Sequence, residues 1–362
     1  MDRSGAPAQS AQAVPPPSLP AVSRLLRSAL IAALLAAVAL AFAWVRGGLG
    51  SAEDSRPGDI VDTQQGGAEP RHAGVRRAHA RGLCVSGRFL ASGEAAALSS
   101  ARVFAPGQSP LIGRLSVGGG DPAGPEATAG VRSLALAIAQ ADGQQWRMAM
   151  NTPPVLPVAT PQAFHAQLRA MAPDPATGRP DPQRLAGFFA AHPESAAFRA
   201  WQAQYRASDS WATTRYHAAN AFVLVDAEGR RQPVRWLLEP EQAGAPLPEG
   251  PHAADALSRE FLERLARGPV RWTLRLQLAE PGDAVDDPSR PWPPSRRQVD
   301  AGVVELAAAH PGGGACDGLS FDPLVLPRGI RPSADPILHA RRAAYAESLR
   351  RRAAEVRAGA GR

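Results

Sequence analysis

Apolar and polar positions alternate most clearly over residues 270–278, VRWTLRLQL. Val270, Trp272, Leu274, Leu276 and Leu278 fall on one side, and Arg271, Thr273, Arg275 and Gln277 on the other. A period of two marks a strand with one face buried. Leu134, Leu136 and Ile138 alternate with alanines in the same way, and residues 83–89, 110–117, 221–226 and 234–238 read as further strands. Helical spacing appears at 161–171, 183–206, 253–267 and 334–357. Strands dominate the first half as meanders, with helices inserted later and at the end. The pattern predicts an α+β fold built on an antiparallel sheet or barrel, and no repeat of solenoid length occurs.

The segment before residue 71 follows other rules. Residues 1–21 are proline-rich and are expected to be disordered. Residues 29–45 are 17 consecutive apolar positions, with Arg24 and Arg27 before them and Arg46 after. At about 1.5 Å per residue such a helix just reaches across a bilayer. Ala41-Phe42-Ala43 also fits a small-x-small cleavage site. An uncleaved single-pass anchor over 22–46 is the expectation, with a cleaved signal as the alternative. Either route puts the domain on the periplasmic side of an inner membrane. Residues 47–70 are polar and glycine-rich and read as a flexible linker; a folded domain is expected over 71–358, with a short tail at 359–362.

Composition narrows the function classes. All 40 basic side chains are arginine, and residues 341–362 hold seven of them against Glu347 and Glu355, or +5 of the net +7. A local basic tail without an aromatic stacking platform or a zinc-finger pattern argues against nucleic acid. Cys84 and Cys316 are too few for a zinc or CxxC site. Two buried thiols are the first expectation, and a disulfide is open to them in an oxidising compartment.

One stretch of the basic tail carries chemistry. The protein has three tyrosines, and one stands in RRAAYAESLRRR, residues 341–352. On a helix, position 345 lies about 40° round from 341, with 352 between them in projection. Arg341, Tyr345 and Arg352 therefore share a face. A cation beside a phenol favours the phenolate, which is a known ligand of ferric haem. Upstream, RRAHARG places Arg76 and His79, RLS puts Arg114 and Ser116 on one strand face, and MNTPP offers Asn151 before a stiff turn.

In this order, and with DGQQWRMAMNTP (142–153) and FDPLVLPRGIRPSADPILHARRAAY (321–345), these motifs resemble the haem catalase family over about 71–355. The wording is most similar to its short catalase-related peroxidase branch. The resemblance implies an eight-stranded antiparallel β-barrel with added helices, and haem b between barrel and proximal helix. It gives His79 the role of distal acid/base, Asn151 that of orienting peroxide, and Ser116 that of holding the histidine ring. Tyr345 matches the iron ligand, Arg341 its partner, and Arg76, Arg114 and Arg352 the propionate-binding arginines. The implied activity is a peroxidase with weak catalase activity. It would reduce hydrogen peroxide or organic hydroperoxides through an oxo-ferryl intermediate, with a small organic electron donor.

Departures from the full-length pattern are Ala78 before the histidine, Val155 and Leu156 where longer members carry aromatics, and only ten residues after Arg352. Phe164 is a candidate to pack on the haem edge. The short ends imply a wider cleft and leave a homo-oligomer open. A fatty-acid hydroperoxide isomerase on the same fold and a non-catalytic haem-binding module are the alternatives; the joint presence of His79, Asn151 and Ser116 argues against the second.

Overall fold

The computed structural model describes residues 57–65, 72–174, 176–311 and 313–360. The segment expected as anchor or signal, 22–46, lies outside them, as does the tract 1–21. Among the described residues no helix is long and apolar enough to cross a membrane.

Eight strands close into an antiparallel ring: β1 (Gly82–Ala91), β2 (Gly107–Val117), β3 (Arg132–Ala139), β4 (Gln145–Asn151), β5 (Tyr216–His217), β7 (Arg231–Pro240), β8 (Val270–Leu278) and β9 (Gln298–His310). Two short strands, β6 (Phe222–Val225) and β10 (Ile330–Pro332), extend the sheet beside β7. The α+β expectation and the eight-stranded barrel both hold.

Alternation sorts each strand into a lumen face and an outer face. In β8 the lumen side is the predicted one, Val270 to Leu278, and every member is buried. Trp146, Met148 and Met150 of β4 join Leu134, Leu136 and Ile138 of β3 in the same core, together with Trp236 and Trp272. Trp236 stacks on Phe222 with centroids 4.1 Å apart and meets Trp146 edge-on at 5.1 Å. Closing a barrel over such rings removes a large apolar area from water, at about 25 cal/mol per Å². A bulge relieves the β8–β9 seam, where the register slips between Leu274 and Arg275. Gly302 takes φ +150 there, with the Leu90 carbonyl 2.3 Å from where a Cβ would stand. No other residue fits that position.

The described α-helices are α1 (Pro57–Gln65), α2 (Pro161–Ala170), α3 (Pro182–Ala191), α4 (Ala196–Gln204), α5 (Ala256–Arg267) and α6 (Pro336–Ala360). Two expectations are corrected. The single helix over 183–206 is two, because His192 precedes Pro193 and leaves the helical region at φ −123, ψ 72. The stretch 47–70 is not wholly linker: α1 lies within it, its Ile60 and Val61 buried, and Arg351 of α6 forms an ion pair with its Asp62. Strands β4 and β9 also appear where the sequence reading assigned none. The alanine-rich VVELAAA of β9 carries helical propensity, and pairing on both sides overrides it.

Cys84 and Cys316 are joined in a disulfide across 232 residues of sequence. The expectation of two separate thiols gives way because Cys316 is buried between exposed neighbours, and its Cα lies 5.7 Å from that of Cys84.

Candidate functional site

A cleft of about 250 Å³ opens between the outer face of β2–β4 and the N-terminal half of α6. All eight residues named from the sequence line it: Arg76, His79, Arg114, Ser116, Asn151, Arg341, Tyr345 and Arg352. Ala78, Leu156 and Phe164 line it as well, whereas Val155 is buried away from it.

Strand register builds one wall. Ser116 of β2 lies directly opposite Ser133 of β3, and Ser133 opposite Asn151 of β4, so three polar side chains form a row across the barrel. Two residues further along, Arg114, Ala135 and Ala149 form the next row. Ala135, which alternates with the buried leucines of β3, and Ala149 thus face the cleft and keep its floor flat.

His79 enters above this row. It is held by a bridge to Gly119, where the Ala80 N–H donates to the Gly119 carbonyl at 3.0 Å. Its Nδ1 lies 3.5 Å from Ser116 Oγ and 3.4 Å from Ser133 Oγ. Ser133 Oγ donates to Asn151 Oδ1 at 2.5 Å. Because its proton is used there, Ser133 accepts from a proton on His79 Nδ1. The lone pair of the neutral ring is then on Nε2. Burial, followed by the charges of Arg114, Arg76 and Arg341, lowers the histidine to about 4. Asn151, accepting on its oxygen, keeps its amide N–H groups free for the cleft.

The opposite wall is α6. Arg341, Tyr345, Ser348 and Arg352 follow at steps of four, three and four, one helical stripe, with Ala340 and Ala344 beside them. Arg341 Nη2 donates to Tyr345 Oη at 3.4 Å and to the Ala149 carbonyl at 3.3 Å, while its Nη1 donates to Asn220 Oδ1 at 2.5 Å. Asn220 Nδ2 donates in turn to Asp335 Oδ2 at 2.6 Å. The other Asp335 oxygen accepts from the N–H groups of Ile337 and Leu338 and caps α6. Burial pushes the Asp335 carboxyl up, against the pull of these hydrogen bonds.

Ser133, Asn220 and Asp335 were not named from the sequence. Ser133 needs the strand register to be seen, and Asn220 lies in a loop with no motif. Asp335 before Pro336 is a legible helix start. Asp335→Ala should cost about 2–4 kcal/mol, from the lost cap and the orphaned Asn220 amide. Urea unfolding of the variant measures it.

At one end three guanidinium groups converge. Arg114 donates to the carbonyls of His79 and Ala80 at 2.8 and 2.9 Å. Arg76 donates to those of Cys316 and Leu319, both at 2.8 Å, and Arg352 to that of Asp317 at 2.6 Å. Burial and the neighbouring cations lower Arg76 to about 9, and burial lowers Arg114 to about 10. The buried Arg352 Nε has no partner. Such crowding calls for anions. Three other tail arginines lie off the cleft: Arg350 and Arg351 pair with Glu347, and Arg342 approaches Asp322 at 3.6 Å.

The donor set fits haem: three cations for two carboxylates, a flat alanine-lined slot, a phenol on one wall and a neutral imidazole on the other.

Comparison with known proteins agrees. The family model described as Catalase matches residues 71–357. A catalase-related peroxidase of Synechococcus elongatus is 36% identical over 285 residues, covering 78% of this chain and 84% of that protein. Another, from Mycolicibacterium paratuberculosis, is 34% identical over 307 residues, covering 82% and 94%. Among solved structures, a bacterial catalase superposes with a TM-score of 0.69 at 20% identity, and a fungal catalase with 0.70 at 18%. Each superposition covers 78% of this chain, which spans 58% and 60% of those two longer proteins. A match of this extent, carried by the same barrel, means that the chain belongs to the catalase family.

Proposed function

We propose that the protein is a haem b peroxidase that reduces hydrogen peroxide and organic hydroperoxides at the expense of a small organic donor, with weak catalase activity. The observation that carries this reading is the pairing of a neutral, hydroxyl-held His79 with the Arg341–Tyr345 couple across one cleft. Haem supplies a ferric centre that binds peroxide and takes up its two oxidising equivalents.

The chain's own residues do the rest. Tyr345 Oη would be the ligand to iron, with Arg341 donating a hydrogen bond to it. Arg76, Arg114 and Arg352 would hold the propionates. Asn151 donates its amide N–H to the incoming peroxide. His79 Nε2 takes the proton from one peroxide oxygen and returns it to the other, so that the leaving oxygen departs as a neutral alcohol or water. Ser116 and Ser133 hold the ring in the tautomer this requires. Donor molecules then return two electrons and two protons.

The domain is proposed to work on the periplasmic side of the inner membrane, tethered by the apolar run 29–45. A disulfide, which persists in oxidising compartments, supports export.

Oxidation of a chromogenic donor with hydrogen peroxide, and separately with an alkyl hydroperoxide, tests the activity. Peroxide-dependent turnover with both oxidants is expected, faster than oxygen evolution. Release of oxygen with no donor oxidation would make the protein a catalase instead.

A further inference from the structure

The disulfide lies behind the arginine end of the cleft. Cys316 is fully buried, whereas the described residues around it, 313–315 and 317–318, are exposed. Its bond to Cys84 is therefore the covalent attachment of this loop to β1. The loop's backbone carries the acceptors for two cleft cations. Arg76 is seated on the carbonyls of Cys316 and Leu319, and Arg352 on that of Asp317. On the barrel side, Cys84 of β1 is directly opposite Arg114 of β2.

One covalent link thus joins the strand beside Arg114 to the loop that seats the other two guanidiniums. Like charges this close repel, and they keep their positions only while the carbonyls holding them stay in place. Cys84, Cys316 and Phe321 also form a small cluster with Ala135 and Tyr345 packed against it, so the loop backs the ligand's ring too.

We propose that the Cys84–Cys316 disulfide is a positioning element for the cofactor: it fixes the 316–319 carbonyls that aim Arg76 and Arg352 at the haem propionates, and cutting it speeds haem release from that end. The inference rests on the haem reading given above. The cut itself is ordinary exchange. Two molecules of a thiol reductant give two cysteine thiols and one reductant disulfide, so electrons and protons balance.

Three forms of the full chain test it: oxidised wild type, the double variant Cys84→Ser with Cys316→Ser, and wild type reduced under denaturant-free conditions. Each is loaded with haem or with iron protoporphyrin dimethyl ester, whose propionate charges are masked. Transfer to excess apomyoglobin then gives the release rate of each porphyrin. Loss of the bond should speed haem release by about 10-fold or more, as loss of outer-shell support does elsewhere. Release of the diester should change by less than about 2-fold, because the arginines have no charge to hold.

Equal acceleration of both porphyrins would mean general loosening and would overturn the proposal. Unchanged haem release would do so as well. Should the double variant fail to fold, the reduced wild type carries the same comparison. A wild-type chain that takes up no haem overturns the haem reading itself, whereas one that holds haem equally well in all forms overturns only the role of the disulfide.

Discussion

Tyr345→Phe is expected to abolish the ferric tyrosinate absorption of the haem-loaded protein and to lower peroxide turnover by more than ~10²-fold. Even outer-shell partners of metal ligands cost roughly 10–100-fold when removed, and this change removes the proposed ligand atom itself. The phenylalanine ring keeps the packing against the Cys84–Cys316–Phe321 cluster and the Arg341 guanidinium, whose Cζ lies 5.8 Å from the ring centroid. Arg341 also retains Asn220 and the Ala149 carbonyl as partners. Stability should therefore change by less than about 1 kcal/mol. A thermal melt beside a visible spectrum separates a missing ligand from a damaged fold. An unaltered spectrum with full turnover would remove Tyr345 from the role.

His79→Ala should act differently. In the proposed arrangement Tyr345 and the three arginines hold the haem, so uptake is expected to be normal, while peroxide cleavage falls by about 10²–10⁴-fold. The pH dependence adds a second reading. His79 is lowered from 6.5 to about 4, first by burial and then by Arg114, Arg76 and Arg341. Its neutral form is the base, so kcat/KM should hold through pH 6 and fall only as pH approaches about 4. Propionates would offset two of the cations, but burial, the largest cause, stays.

The stability linkage has the same sign. Unfolded chains protonate this ring near 6.5 while the native protein does not. Its contribution to stability is complete above that value and drains away as pH falls toward about 4. An acid limb centred near 6.5 in the rate profile would place the essential base elsewhere.

The residues that meet in the cleft were legible because their types are scarce or their spacing is short. One tyrosine among three stands on a helix with arginines at matching phase, and Arg114 and Ser116 need only the period of two. The residues missed depend on pairings that local sequence does not state. Ser133 meets His79 only because β3 registers on β2 with Ser133 opposite Ser116. The disulfide joins positions 232 residues apart, and nothing local marks either cysteine as the other's partner. Helix α1 hides in a polar stretch whose only apolar pair, Ile60 and Val61, is too short to show a period. The barrel was legible as alternation, but its alanine face became a cofactor floor only once α6 was laid across it.

The ring of strands is not closed with equal strength all the way round. β5 has two residues, and its join to β4 is the single pair Asn151–His217. Side chains reinforce it: Tyr216 Oη donates to the Trp211 carbonyl at 3.2 Å, and His217 Nδ1 lies 2.9 Å from the Thr152 carbonyl. β5 meets β7 through two pairs. At every join of the ring that does not involve β5 a slipping strand must break a long ladder, but here it need break only one rung. Fluctuations that part the barrel without unfolding it should begin at this join. The Asn151 amide, proposed above to orient peroxide, thus stands at the hinge of the barrel's easiest opening. Deuterium should enter the backbone around 151 and 217 before it enters β1, β2 or β9. A cofactor clamped against that wall should slow the entry, turning the least cooperative part of the scaffold into a gauge of occupancy.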